Sequence, residues 1–337
     1  MNYNVPEGSY STDPYNGEVR VAEVKEMVKS LHENDISVVM DVVYNHVYNA
    51  ESFCFNKIVP GYFSRINDDG TYSNGSGCGN DTATERAMVK KYIVDSVNYW
   101  ADEYHIDGFR FDLVGLMDVE LMNEIMTTVH ETHPDVIFYG EGWTMNTTPT
   151  KDDVVLCTQP NSEKVEGFAF FSDNIRDGLR GNVFNTGEVG FASGAINMEN
   201  TIGDCITANL PWCKNPNQIV NYVSCHDNNT LIDRFAISRT DASMEELVRM
   251  NNFSAAVVMT SQGVPFMMAG EEMLRSKVNE DGTYNGNSYN AGDGVNAIRW
   301  ENLSAEIYDD TFQYYKGLIA FRKEHKELRI GTAAEVA

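Results

Sequence analysis

The sequence predicts an α/β protein on a parallel sheet, a (β/α)8 TIM barrel incomplete at its N-terminus. Three observations carry that reading. Short, nearly continuous apolar runs alternate with amphipathic helical stretches, the order of βα units. Four of those runs end in polar side chains, where a barrel carries its functional groups. No GxGxxG turn follows the first run and no phosphate-binding loop occurs, which disfavours a doubly wound nucleotide-binding sheet.

Taken in order, residues 3–17 are rich in turn formers: Pro6, Gly8, Asp13-Pro14 and Asn16-Gly17. Residues 18–34 read as a helix, with Val21, Val24, Met27, Val28 and Leu31 at helical spacing. A strand at 36–44 follows, with Asp41, Asn45 and His46 at or beyond its end. An excursion at about 47–84 is long for a loop, and its Tyr and Phe residues argue that it is ordered. Helix 85–104 feeds strand 106–112, Ile106-Asp-Gly-Phe-Arg-Phe-Asp112, in which Phe109 and Phe111 flank Arg110. An Arg two residues before an Asp on a strand shares its face, so Arg110 and Asp112 are expected to pair. Helix 118–132 precedes strand 136–141, which ends at Glu141 and Trp143. A shorter strand, 168–171, leads to a loop-like stretch at 182–217. Strand 219–225 ends at His226 and Asp227, and Cys225 within it reads as a small core residue. Helix 243–262, strand 264–269, a polar loop at 276–297 and helix 307–326 complete the chain.

These are six strands where a barrel has eight, so two strands are expected upstream of Met1. Residues 1–337 therefore read as one partial catalytic barrel. Missing strands leave open edges, and the isolated chain is expected to be poorly soluble or inactive.

The formal charge of −25, from 25 Lys and Arg against 50 Asp and Glu, argues against nucleic acid and an anionic membrane but suits a neutral ligand such as a sugar. No apolar run is long enough to span a bilayer, and the first residues carry no export signal. The six cysteines lack paired or metal-type spacing, which favours free thiols and a cytoplasmic location.

Together the strand ends supply Asp41, Asn45, His46, Arg110, Asp112, Glu141, Trp143, His226 and Asp227. Converging carboxylates repel, so at least one is expected to stay protonated near neutrality, the requirement for acid/base and nucleophilic work at a glycosidic carbon. Histidines and an arginine beside them suit hydroxyl binding, and Trp143 suits a sugar face. Two other readings remain. Arg110 and Asp112 also read as a structural ion pair, and Asp/His clusters on a barrel rim also bind Zn or Mn. Against a metal, the first strand has no His-x-His pair and Arg110 competes with a cation.

Asp41-Val-Val-Tyr-Asn-His46, Gly108-Phe-Arg-Phe-Asp112, Glu141 and Val223-Ser-Cys-His-Asp227 resemble, in order, the four motif regions of glycoside hydrolase family 13, the α-amylase family. Tyr3 to Pro14, Ser76-Gly-Cys-Gly-Asn-Asp81 and Tyr139-Gly-Glu-Gly-Trp143 resemble the type I pullulanases within it, the α-1,6 debranching enzymes. The resemblance runs over nearly the whole chain and implies a retaining hydrolase of α-1,6 branch linkages in pullulan, amylopectin, glycogen or limit dextrins. Asp112 would be the nucleophile, Arg110 its orienter and Glu141 the general acid and base. Asp227, His46 and His226 would bind sugar hydroxyls, with Asp41 and Asn45 shaping that subsite. The two reacting carboxyls are then expected about 5–5.5 Å apart. An α-1,4 amylase or glucan transglycosylase of the same family, or an inactive glucan-binding fragment, are the alternatives. No cofactor is expected to be required: calcium sites occur in some relatives, but no Asp-rich ligand loop stands out here. The family's Tyr-Asn-Trp-Gly-Tyr-Asp-Pro segment, expected just upstream of Tyr3, and its C-terminal β-sandwich have no counterpart in these residues.

Overall fold

In the computed structural model, which describes residues 2–336, the apolar runs become parallel strands. The chain divides into two units, residues 1–170 and 171–337.

The first unit contains α1 (Gly17–His32), β1 (Val39–Val42), α2 (Cys54–Ile58), α3 (Ala87–Tyr104), β2 (Gly108–Phe111), α4 (Val119–His130), β3 (Ile137–Gly140) and the start of β4 (Phe168–Phe171). Strands β1 to β4 pair in sequence order, all parallel, with Asp41 opposite Arg110 and Arg110 opposite Tyr139. All four residues of β2 are buried, as a central parallel strand requires. Its rings pack along the sheet, Phe109 on Phe138 with centroids 6.0 Å apart and Phe111 on Phe168 at 6.1 Å. Helix α3 ends where His105 turns left-handed (φ 54°), and α4 begins at Asp118, whose carboxylate accepts from the Glu120 and Leu121 amides. Asp107, between α3 and β2, accepts from the Val38 amide at 2.6 Å and contacts the His32 ring at 2.8 Å, tying α1 to the ladder.

The second unit contains α5 (Asp173–Arg180), α6 (Glu199–Ile206), β5 (Ile219–Asn221), α7 (Leu231–Ser238), α8 (Met244–Thr260), β6 (Val264–Pro265), α9 (Asp293–Asn296), α10 (Glu306–Glu324) and α11 (Ala333–Val336). Strands β5 and β6 are parallel. Their core joins Ile175 and Leu179 of α5 to Ile219, Phe235 and Val258. Ser243 and Glu246 form a reciprocal capping box at the start of α8.

The structure departs from the expected elements in several places. Strand 36–44 shortens to Val39–Val42, and Ile36 is half exposed. The strands expected at 219–225 and 264–269 end at Asn221 and Pro265. Beyond β5 the chain turns so that Ser224 reaches Glu271, and Cys225 sits past the strand, partly exposed, instead of in the core. Finally, the stretch at 182–217 contains α6, whose Glu-Asn-Thr-Ile-Gly-Asp composition is poor for a helix. Burial of Ile202 and Cys205 in the core overrides that propensity. Among the described residues, no helix is long and apolar enough to cross a membrane.

Glu271, fully buried, accepts from the Tyr315 hydroxyl at 2.9 Å and from Ser224. Burial pushes its carboxyl up to about 7, although both hydroxyls pull it down. A raised acid binds its proton more tightly in the folded state, so this contribution is present at low pH and is lost as pH rises through about 7. Glu271→Gln keeps the volume and cannot ionise. Urea unfolding at pH 5 and pH 8 is expected to show the variant's loss of stability between them smaller by roughly 3 kcal/mol. An unchanged difference would show that Glu271 does not titrate there.

Candidate active site

Arg110 sits at the centre of the first unit's strand ends. Its Nη1 donates to Asp41 Oδ1 and to Asp112 Oδ1, both at 2.9 Å, and its Nη2 contacts Glu141 Oε1 at 2.9 Å. The register explains the grouping: Asp41 and Arg110 are partners on adjacent strands, and Asp112 lies two residues further on the same face as Arg110. One planar guanidinium thus holds three carboxylates. Burial works against its charge, but Glu141, then Asp41 and Asp112, outweigh it and keep the Arg110 pKa above its ordinary value. Exposure grades across the cluster: the side chains of Arg110 and Glu141 are 7% and 10% exposed, Asp112 22% and Asp41 52%. Asp112 and Glu141 are the pair that is enclosed yet still reachable.

The other oxygen of Asp112 is held from the first strand. Asn45 Nδ2 donates to Asp112 Oδ2 at 2.9 Å and to its backbone carbonyl at 2.6 Å. Because those partners only accept, the amide's oxygen faces His46, whose Nδ1 lies 2.5 Å away and must carry the proton. Burial lowers the His46 pKa against the opposing charges of Asp112 and Asp81, so the ring is neutral at pH 7, with Nε2 as an acceptor. The Asp112–Asn45–His46 chain is therefore oriented end to end.

Glu141 is placed by backbone geometry. Leu113, immediately after Asp112, is left-handed (φ 40°, ψ 45°), and its amide donates to Glu141 Oε2 at 3.0 Å. That backbone state is unfavourable for leucine and is held here by the buried turn 114–116. Glycines let the chains close in. A Cβ on Gly140 would lie 2.4 Å from the Phe111 carbonyl oxygen, and one on Gly115 would lie 2.0 Å from that of Trp143. Gly115→Ala is therefore expected to destabilise by about 1–3 kcal/mol and to displace Glu141. Differential scanning calorimetry beside an activity assay checks both, and wild-type behaviour in each would refute the packing account.

The excursion at 47–84 is ordered, as its aromatics suggested. Asp81 is its anchor, accepting from Ser73 Oγ (2.6 Å), the Gly75 and Ser76 amides (2.7 and 2.9 Å) and Thr147 Oγ1 (2.6 Å). Asn80 bonds both the amide and the carbonyl of Val47, and the Thr82 amide donates to the Asn45 carbonyl. Arg65, fully buried, reaches Glu85 and the Leu116 carbonyl. Residue types alone do not single out Asp81 or Arg65; the cluster of Ser, Gly and Asn before Asp81 is the one local signal.

Trp143 is half-buried beyond β3. His226 and Asp227 lie in the second unit, on the turn after β5, with side chains 57% and 54% exposed and 3.7 Å apart. Among the described residues no three His, Cys, Asp or Glu side chains are grouped as metal ligands.

The family described as alpha amylase, catalytic domain, matches residues 77–302. The pullulanase of Bacillus subtilis (strain 168) is 35% identical over 343 residues, covering 100% of this chain and 46% of that protein. The chloroplastic isoamylase 3 of Oryza sativa subsp. japonica is 28% identical over 378 residues, covering 98% of this chain and 45% of that one. Among solved structures, the Paenibacillus barengoltzii pullulanase in complex with maltohexaose and alpha-cyclodextrin superposes with a TM-score of 0.95 at 42% identity, over 100% of this chain and 52% of that one. The chain thus spans about half the length of each of these three proteins.

Proposed function

We propose, because the chain belongs to the α-amylase catalytic-domain family, that the protein is a retaining glycoside hydrolase cleaving α-1,6 branch linkages in pullulan, amylopectin, glycogen or limit dextrins. The observation that carries this reading is the guanidinium of Arg110 joining Asp112 and Glu141. Both carboxyls contact one guanidinium, which keeps them close. The specificity for branch linkages is supported by the pullulanases among its relatives.

In the first step Asp112 attacks the anomeric carbon while protonated Glu141 gives its proton to the glycosidic oxygen. The carbon–oxygen bond breaks, the leaving sugar departs as an alcohol and an ester to Asp112 remains. In the second step Glu141, now a carboxylate, takes a proton from water, the water oxygen attacks the same carbon and the ester bond breaks. Arg110 and Asn45 hold Asp112 through different oxygens, so it is aimed before substrate arrives. The neutral His46 offers Nε2 to a sugar hydroxyl. Asp227 and His226 bind further hydroxyls, Trp143 stacks on a sugar face and Asp41 supports Arg110 from the solvent side. The reading requires no metal or cofactor.

The test is twofold. Reducing ends released from pullulan, at a rate above that from amylose, support branch-point hydrolysis. A faster rate on amylose moves the assignment to an α-1,4 enzyme of the family. Proton NMR of the first product fixes the stereochemistry: retention leaves the α-anomer, and initial release of the β-anomer sinks the nucleophile role of Asp112.

A further inference from the structure

Another buried guanidinium lies behind the turn that holds Glu141. Arg65 comes from the excursion at 47–84, and its side chain is fully buried. Among the described residues its hydrogen bonds go to neither Asp112 nor Glu141. Its charge is met by Glu85, also buried, with Nη2 donating to Oε2 at 2.8 Å. A buried ion pair by itself adds little over apolar packing, so its further contacts carry the meaning. Arg65 Nη1 donates to the Leu116 carbonyl at 2.7 Å and to Thr147 Oγ1 at 3.1 Å. Glu85 Oε1 in turn accepts from the Thr150 amide at 2.7 Å. Leu116 ends the turn that fixes Glu141 twice: the Leu113 amide donates to its Oε2 and the Gly115 amide to its carbonyl, both at 3.0 Å. Thr147 and Thr150 belong to the stretch that leaves Glu141, and Thr147 Oγ1 is tied again to Asp81 Oδ2 at 2.6 Å. Leu113 is left-handed, a state that persists only where the surroundings hold it. The Leu116 carbonyl is the point at which the excursion supplies that restraint.

We propose that Arg65 is a positioning residue for the general acid: with Glu85 it clamps the 113–116 turn to the 147–150 stretch, and through the Leu113 amide it aims Glu141 at the glycosidic oxygen. This rests on the reading of the protein as a retaining α-glucan hydrolase. Asp112 is aimed separately, by Arg110 and Asn45, so its attack does not depend on the clamp. Proton transfer to the leaving oxygen needs the Glu141 carboxyl within hydrogen-bond reach, and a small displacement of it is costly. That cost falls on a leaving group that must be protonated. When α-maltotriosyl fluoride is the substrate, the bond from Asp112 to the anomeric carbon forms while the carbon–fluorine bond breaks. Fluoride leaves with the electron pair as an anion and takes no proton from Glu141.

The test compares pullulan with α-maltotriosyl fluoride on the whole chain and reads kcat/KM, which reports the first step. Arg65→Lys keeps a charge beside Glu85 but presents a single nitrogen, which cannot also hold the Leu116 carbonyl. It is expected to lower kcat/KM on pullulan roughly 10²-fold, the loss falling on kcat with KM near native. On the fluoride kcat/KM is expected to stay within about threefold of native, a split that a general loss of folding would not give. Thr147→Val removes one acceptor of the same Arg65 nitrogen and is expected to give the same selective loss at about fivefold. It carries the test where Arg65→Lys does not fold. Equal losses on the two substrates, or none on either, overturn the proposal and leave the hydrolase reading intact. Failure of the native chain to release sugar from pullulan overturns that reading, and the proposal with it.

Discussion

Asp112→Asn is expected to lower kcat on pullulan by about 10⁴-fold or more, the scale for losing a covalent nucleophile. The amide is nearly isosteric, so the effect is chemical: it removes the attacking anion. Arg110 Nη1 and Asn45 Nδ2 both donate to the carboxylate, and an amide presents only one acceptor oxygen to those two donors. A modest local destabilisation follows, of about 1–2 kcal/mol. Thermal unfolding should therefore show a folded protein, and maltotetraose should still bind. External azide provides the discriminating measurement. In Asp112→Gly, where truncation leaves room for a small anion in place of the carboxylate, partial rescue is expected to give a glycosyl azide of inverted configuration. Retention of more than a tenth of the native rate would remove Asp112 from the role.

Arg110 substitutions are expected to be the next most damaging, and they act on stability as well as rate. Removing the guanidinium leaves Asp41, Asp112 and Glu141 facing one another without the charge that separates them. Breaking a buried pair in this way costs about 3–5 kcal/mol, so Arg110→Ala is expected to fold poorly at neutral pH. Arg110→Lys is the informative variant. It keeps the charge but presents a single nitrogen where the fork presents two, so it cannot hold Glu141 and Asp112 together. A fall in kcat of roughly 10²- to 10³-fold is expected, of the size seen when one preorganised charge-bearing donor is lost. The pH–rate profile supplies a second readout. With weaker compensation the carboxylates repel more strongly, and the acidic limb of the profile moves to higher pH. A native profile with a native rate would reduce Arg110 to a structural ion pair, the alternative that its spacing from Asp112 left open.

Much of the first unit was legible because strand geometry is periodic. The two-residue spacing of Arg110 and Asp112 put them on one face, and the structure gives them a 2.9 Å contact. Buried β2 followed from Phe109 and Phe111 in the same way. Less legible were elements whose stability comes from distant partners. Helix α6 is written in poor helix formers and exists because Ile202 and Cys205 are covered by other parts of the second unit. Helix α7 carried a readable signal, Thr230 three residues before Asp233 with Leu231, Ile232 and Phe235 at helical spacing, but it is only two turns long. The strand limits at Asn221 and Pro265 depend on where Ser224 and Glu271 meet, a contact between residues 47 positions apart.

Residue order alone is enough to read the chemistry on offer: which strand ends carry carboxylates, which carry histidines, and which arginine shares a face with which acid. Residue type and two-residue periodicity are local properties, so no fold was needed to read them. That Arg110 answers to three carboxylates and not to one emerges from the folded chain. Asp41 and Glu141 come from other strands, and it is parallel register together with the glycine-permitted approach of Trp143 to Gly115 that brings them within hydrogen-bond reach. The same holds for Arg65, an ordinary arginine in a polar loop until the folded chain buries it against the Leu116 carbonyl. Contacts between residues far apart in sequence follow from packing, and packing is a property of the whole folded unit.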